Sequence, residues 1–115
     1  QAVGLGFGVH AQLQYERSYP ATINTADEAQ FAGDVAADLV GEAHVVRNMD
    51  PSMGAEDFSF MLQQKPGAYL RLGQAVGGEI VPLHNSYYDF NDDVLPLGAA
   101  LHAGIIERGM PLATT

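Results

Sequence analysis

The chain has 115 residues, 47% of them apolar, with fourteen acids against five bases and a formal charge of -9. That balance argues against nucleic acid and against an anionic membrane surface as partners, because no basic patch is present to hold phosphates or release counterions. The absence of cysteine rules out a disulfide framework and a thiolate metal site, and what remains is one globular domain with a modest core.

No apolar run reaches the eighteen residues that a bilayer span needs. The start, Gln1-Ala2-Val3, has neither an initiator methionine nor a basic leader, and reads as a piece of a longer chain. Residues 1–8 place a glycine at every second position from Gly4 to Gly8. A phosphate loop would need a preceding strand, a Gly-x-Gly-x-x-Gly spacing and a following helix, so a linker at a helix end is the better reading.

Residues 9–16 alternate: Val9, Ala11, Leu13 and Tyr15 on one side, His10, Gln12, Gln14 and Glu16 on the other. Period two predicts a half-buried strand, with His10 solvated on its polar face. Pro20 biases Tyr19 toward extended geometry and marks a break. Thr25 with Glu28 three residues on predicts a capping box, and Asp27 and Glu28 suit a helix N-terminus. The helix that follows has an apolar stripe of Phe31, Ala32, Val35, Ala36, Leu39 and Val40. Its acids, Asp27, Asp34 and Asp38, belong to a water-facing side rather than a metal site. Gly41 is its stop.

Residues 44–47 suggest a short strand in which His44 is structural. Residues 48–54 are loop, and 55–64 read as a short helix ended by Pro66. Glu56 and Asp57 lie in the first turn of that helix, with Phe58, Met61 and Leu62 on one face. Residues 68–73 alternate again and predict a second strand, and 74–82, with Gly77-Gly78, a loop. The last helix runs from about Val94 to Arg108, capped by Asp92 or Asp93, with Pro96 tolerated in its first turn. It is apolar nearly all round, which predicts burial and a packed His102; Gly109 and Pro111 end it.

Between loop and helix lies the most chemically loaded stretch, Leu83-His84-Asn85-Ser86-Tyr87-Tyr88-Asp89-Phe90-Asn91-Asp92-Asp93. Imidazole is the commonest neutral ligand for zinc-like ions, and nearby carboxylates fix its tautomer. The plainer alternative is a turn whose aspartates cap the helix and whose histidine is on the surface. None of the four histidines forms a His-x-Asp or His-x-x-x-His pair, and no adjacent Glu-Glu exists.

Five motifs follow one another in a recognisable order: Met53-Gly54-Ala55-Glu56-Asp57-Phe58-Ser59, Pro66-Gly67-Ala68-Tyr69, Leu72-Gly73, the His84 stretch, and Leu95-Pro96-Leu97-Gly98-Ala99. In this order they resemble the C-terminal third or so of the metal-dependent amidohydrolase/carboxypeptidase family, which includes hippurate hydrolases, N-acyl-amino-acid amidohydrolases and indole-acetyl-amino-acid hydrolases. A less specific likeness extends over Tyr15-Glu16-Arg17-Ser18-Tyr19-Pro20-Ala21-Thr22-Ile23-Asn24. The resemblance implies an α/β fold: the C-terminal part of a three-layer α/β/α metallopeptidase-like catalytic domain (19–115), preceded by one strand of the α+β lid, or dimerisation, domain (1–18).

It further implies that His84 is a metal ligand, with Glu56, Asp57, Asn85, Asp89 and Asn91 as supporting residues. For Glu56 and Asp57, plain capping of the short helix stays equally open, and Glu56 is not read as the catalytic base. No catalytic residue is expected within this chain. The cofactors implied are two divalent ions, zinc or manganese, per site of the full-length enzyme, and the substrate a small N-acyl amino acid. A cytoplasmic homo-oligomer is expected, and strand edges left open here would favour self-association. One imidazole cannot hold a two-metal centre, so the chain alone is expected to be inactive. The competing expectation is a non-catalytic α/β interaction module with His84 in a capped turn.

Overall fold

A computed structural model describes residues 2–75 and 81–112. Its elements are α1 (Ala2–Gly6), α2 (Ala26–Val40), α3 (Phe58–Leu62) and α4 (Leu95–Gly109), with single 3-10 turns at Glu42–His44 and Asp92–Val94. The glycine pair expected in the loop at 74–82 lies outside the described residues.

The glycine-rich start is one helical turn rather than linker alone. The carbonyl of Gly4 accepts from Phe7 N at 3.0 Å and Val9 N at 2.9 Å, and Gly8, at φ 67°, turns the chain out of it. A left-handed φ there favours a residue without a Cβ.

Among the described residues there is no β-strand, which corrects three expectations, at 9–16, 44–47 and 68–73. Alternation specifies two faces, but a strand also needs a neighbour whose backbone groups it can pair with. Residues 9–16 are exposed throughout, Leu13 at 86%, and nothing covers either face. Of residues 44–47, His44 instead ends the Glu42–His44 turn and Val45 closes it. Segment 68–73 finds a partner, but a side-chain one. Asn24 accepts from Tyr69 N at 2.7 Å and donates to Tyr69 O at 3.0 Å. Thr25 Oγ1 accepts from Gly67 N at 2.8 Å and donates to Gly67 O at 3.0 Å, and Thr25 N donates to the same carbonyl. Thr25 is the N-cap of α2 by backbone geometry, yet its hydroxyl makes no cap bond because Gly67 holds it. The expected capping box is therefore replaced by a tie between α2 and residue 67.

α2 packs on α4 through glycine. A Cβ on Gly104 would sit 3.0 Å from Val35 Cγ1, and one on Gly109 3.5 Å from Phe31 Cζ. The two backbones thus approach more closely than larger residues would permit. Ala32 and Val35 are the buried hydrophobic residues, and Arg108 pairs with Asp38 at the rim. The rest of the predicted stripe is only partly covered: Leu39 remains 44% exposed.

α4 departs from expectation in the same way. No residue in it is buried, Leu95 and Ile106 are about two-thirds exposed, and His102 faces solvent instead of packing. An apolar helix can be buried, but composition does not say by what, and among the described residues α4 is only partly covered, chiefly by α2. The accessible surface is 10211 Å², against about 6,000 Å² for a compact protein of this mass. The radius of gyration is 20.6 Å, against about 13 Å. No helix of the described residues is long and apolar enough to cross a membrane.

After α2, Gly41 (φ 86°) redirects the chain and Arg47 folds back onto it. Arg47 meets Glu42 through two bonds of 2.7 Å and Asp34 at 2.9 Å, with its guanidinium lying over Gly33. The acid at Asp34 is thus a clamp as well as a solvated side chain. The hydrogen bond from Arg47 holds the Glu42 carboxyl below its ordinary value of 4.5. A lowered folded-state value means that the pair stabilises the turn above pH about 4.5 and ceases to as the pH falls through the folded value. An NMR titration of Glu42 should give a midpoint below 4.5, and Arg47→Ala should return it to the ordinary value. A midpoint unmoved by that substitution would refute the assignment.

Candidate functional site

The His84 stretch is built from two consecutive turns. Asn85 N donates to Pro82 O at 3.2 Å, closing a turn whose third residue, His84, has φ 69°. It is the sole non-glycine residue with positive φ among those described. A four-residue turn with negative φ at its second position and positive φ at its third is of type II, where glycine or asparagine is the relaxed choice. Histidine is tolerated in this region but strained, at about 1–3 kcal/mol. The His84 side chain is exposed.

Asn85 braces the second turn: its side-chain oxygen accepts from Tyr87 N at 2.9 Å, and its carbonyl from Tyr88 N at 3.0 Å. Expected as support for the imidazole, it fixes the backbone on either side of that ring's Cα. Tyr88 and Phe90 meet edge to face, with centroids 5.0 Å apart. Asp89 is exposed and makes no hydrogen bond among the described residues.

Asn91, not Asp92 or Asp93, makes the cap here, and it caps the Asp92–Val94 turn that leads into α4, whose own N-cap Val94 makes no side-chain bond. Asn91 Oδ1 accepts from Asp93 N at 3.0 Å, and the two aspartates fill the first turn, where their charge suits the helix dipole. Asn91 is in turn held by a residue that the sequence did not single out. Gln74 accepts from Asn91 N at 3.2 Å through Oε1, and its backbone carbonyl accepts from Asn91 Nδ2 at 3.4 Å. Gln74 Nε2 also donates to the Tyr88 hydroxyl. No local signal marks a glutamine at the start of a predicted loop as a brace for a residue seventeen positions on.

The Glu56 motif forms a compact cap. Glu56 O accepts from Ser59 N at 3.2 Å and from Ser59 Oγ at 2.6 Å, and Asp57 O accepts from Phe60 N at 3.0 Å. Ser59 is fully buried. These bonds start α3, which is shorter at both ends than expected because Asp57 precedes it and Gln63 closes it. Burial first, and then the Glu56 carboxylate, push the Tyr69 phenol above the usual tyrosine range. Glu56 therefore sits beside Tyr69, which Asn24 anchors from the other side.

His84 could supply a divalent ion with one ligand. Among the described residues, however, no three His, Asp or Glu side chains gather into a group that could hold one. A two-metal centre needs several protein donors and an open position. The described residues of this chain do not fit such a centre by themselves.

The sequence model of peptidase family M20/M25/M40 matches residues 2–108. Among curated proteins the chain is similar to "IAA-amino acid hydrolase ILR1-like 4" of Arabidopsis thaliana, 36% identical over 92 residues, which covers 78% of this chain and 21% of that protein. It is 38% identical over 84 residues to "Hippurate hydrolase" of Campylobacter jejuni, with 73% of this chain and 21% of the relative covered. It is 35% identical over 100 residues to "Thermostable carboxypeptidase 1" of Saccharolobus solfataricus, with 84% and 24% covered. The chain thus spans about a fifth to a quarter of the length of these relatives. No solved structure matches it.

Proposed function

The chain belongs to peptidase family M20/M25/M40, and from that premise we propose that it forms the C-terminal part of a metal-dependent hydrolase of N-acyl amino acids. On this reading His84 is one ligand of a centre of two divalent ions, zinc or manganese. Its other ligands and its general base come from a part of the enzyme beyond these residues. When bound, such ions polarise the scissile carbonyl and supply hydroxide near neutral pH.

The observation that carries the reading is the backbone of His84. A histidine held at φ 69°, where glycine would be relaxed, with its ring exposed, is retained for its side chain rather than for the turn. Two of the similar proteins are named for amino acids bearing an acyl group, which supports the substrate class. The unburied α4, in a chain whose accessible surface is much larger than a compact fold exposes, supports a chain that completes a bigger structure. On this reading Asn85 and Asn91 set the loop's backbone, the exposed Asp89 supports the imidazole, and Glu56 and Asp57 support the site from the start of α3.

The full-length enzyme should cleave hippurate-like amides, lose that activity to a chelator, and regain it with zinc or manganese. The isolated 115-residue chain should show no sub-micromolar binding of either ion by calorimetry. Hydrolysis untouched by chelation would remove the metal reading, and tight binding by the isolated chain would remove the shared-site reading.

A further inference from the structure

The backbone of the His84 loop is set by three groups that converge on one residue. The Gln74 side-chain amide meets Tyr88 Oη through Nε2 and Asn91 N through Oε1, while the Gln74 backbone carbonyl receives Asn91 Nδ2 at 3.4 Å. Tyr88 N in turn closes on Asn85 O, and Asn85 N closes on Pro82 O, the turn that forces His84 to φ 69°. A continuous series of bonds therefore runs from Gln74 through Tyr88 and Asn85 to the strained residue. Both ends of the Gln74 amide are used, so neither a hydrocarbon nor a residue that only donates could replace it. Neither Tyr88 nor Gln74 is fully exposed, whereas His84 and Asn85 are exposed; the exposed ring is thus held from a part-covered anchor.

We propose that Gln74 is a positioning residue that presents the His84 imidazole, an inference that rests on the reading of His84 as a metal ligand. Gln74 touches neither the ring nor a substrate. It fixes the Tyr88–Asn91 side of the loop, and the turn at 82–85 inherits that geometry. Strain at His84 persists only while the surrounding bonds over-determine it, and without the Gln74 amide the loop relaxes and the ring swings out of register.

The test compares Gln74→Ala, Gln74→Glu and His84→Ala in the full-length enzyme, reading zinc affinity, kcat and KM separately, and amide exchange at Asn85 and Asn91. Gln74→Ala should weaken zinc binding 10–100-fold, as loss of groups that orient a ligand does. It should also lower kcat more than KM and hasten exchange at both amides. A glutamate at 74 can still accept from Asn91 N, and its second oxygen can accept from the Tyr88 hydroxyl, so Gln74→Glu should restore zinc affinity to within a few-fold. Gln74→Ala with unchanged zinc affinity, beside a His84→Ala that has lost it, would overturn the role of Gln74 alone. A His84→Ala that keeps zinc and activity would overturn the ligand reading beneath it. If Gln74→Ala weakens folding as a whole, the glutamate variant decides: stable but no tighter for zinc than the alanine variant, it refutes the proposal.

Discussion

Exchanging His84 for glycine in the full-length enzyme is expected to lower kcat/KM by about a thousandfold or more while leaving the melting temperature unchanged or slightly raised. The first effect follows from removing one ligand of a centre that contributes several kcal/mol to the transition state; about 4 kcal/mol is a thousandfold. The second follows from the backbone. At φ 69° a side chain is strained by about 1–3 kcal/mol, and glycine is not. Glycine loses more freedom on folding, about 0.5–1 kcal/mol, so the balance lies near zero or on the stabilising side. Opposite signs for activity and stability are the signature of a residue kept for chemistry at a structural cost. A histidine that served only the turn would give the reverse: activity held, because nothing catalytic was touched. Rate measurements on a hippurate-like amide, paired with a thermal scan, separate the two, and unchanged turnover would favour the interaction-module alternative.

Gly104→Leu is expected to lower stability by about 2 kcal/mol, through overpacking of the α2–α4 contact. Even a methyl group there would lie 3.0 Å from Val35 Cγ1, tight enough that Val35 must give way, and Val35 is only 3% exposed. Leucine adds three further carbons to a seam that is close because glycine makes it so. Helix propensity works in the opposite direction, since glycine mid-helix is about 1 kcal/mol worse than alanine. Gly104→Ala should therefore come out near neutral, with the gain in propensity offsetting the compression. A urea melt of the three proteins would show the leucine variant's midpoint falling at constant slope. A leucine variant as stable as the parent would mean that the seam is not where the helices hold together.

How far the sequence carried this structure depends on the range of each interaction. α2 and α4 were readable because their periodicity, the glycine at 41 and the proline at 96 all act within one or two turns. The family likeness was readable because it is carried by motifs in order, and the match over residues 2–108 agrees with it. Thr25 was misread for the opposite reason: its hydroxyl is taken by Gly67, 42 residues away, and no local pattern reports that. The side-chain cap expected of Asp92 or Asp93 falls to Asn91, on the turn before the last helix, since asparagine and aspartate compete for the same role and Gln74 happens to orient Asn91 for it. Strands failed at three places because a period of two describes a segment and not its neighbour. The same limit applies to α4 and to His102, for which an apolar environment was inferred from composition alone. The left-handed residue at His84 carried no signal either, as the glycine or asparagine that would announce it is absent from that position.

The side chains of Asn24 and Thr25 occupy the N–H and C=O groups of Tyr69 and Gly67. In a chain whose amides alternate in direction, the groups of Ala68 and Leu70 then point the other way. A strand added to this segment would therefore find only the flank of Ala68 and Leu70 open, because two polar side chains at the start of α2 already fill the other.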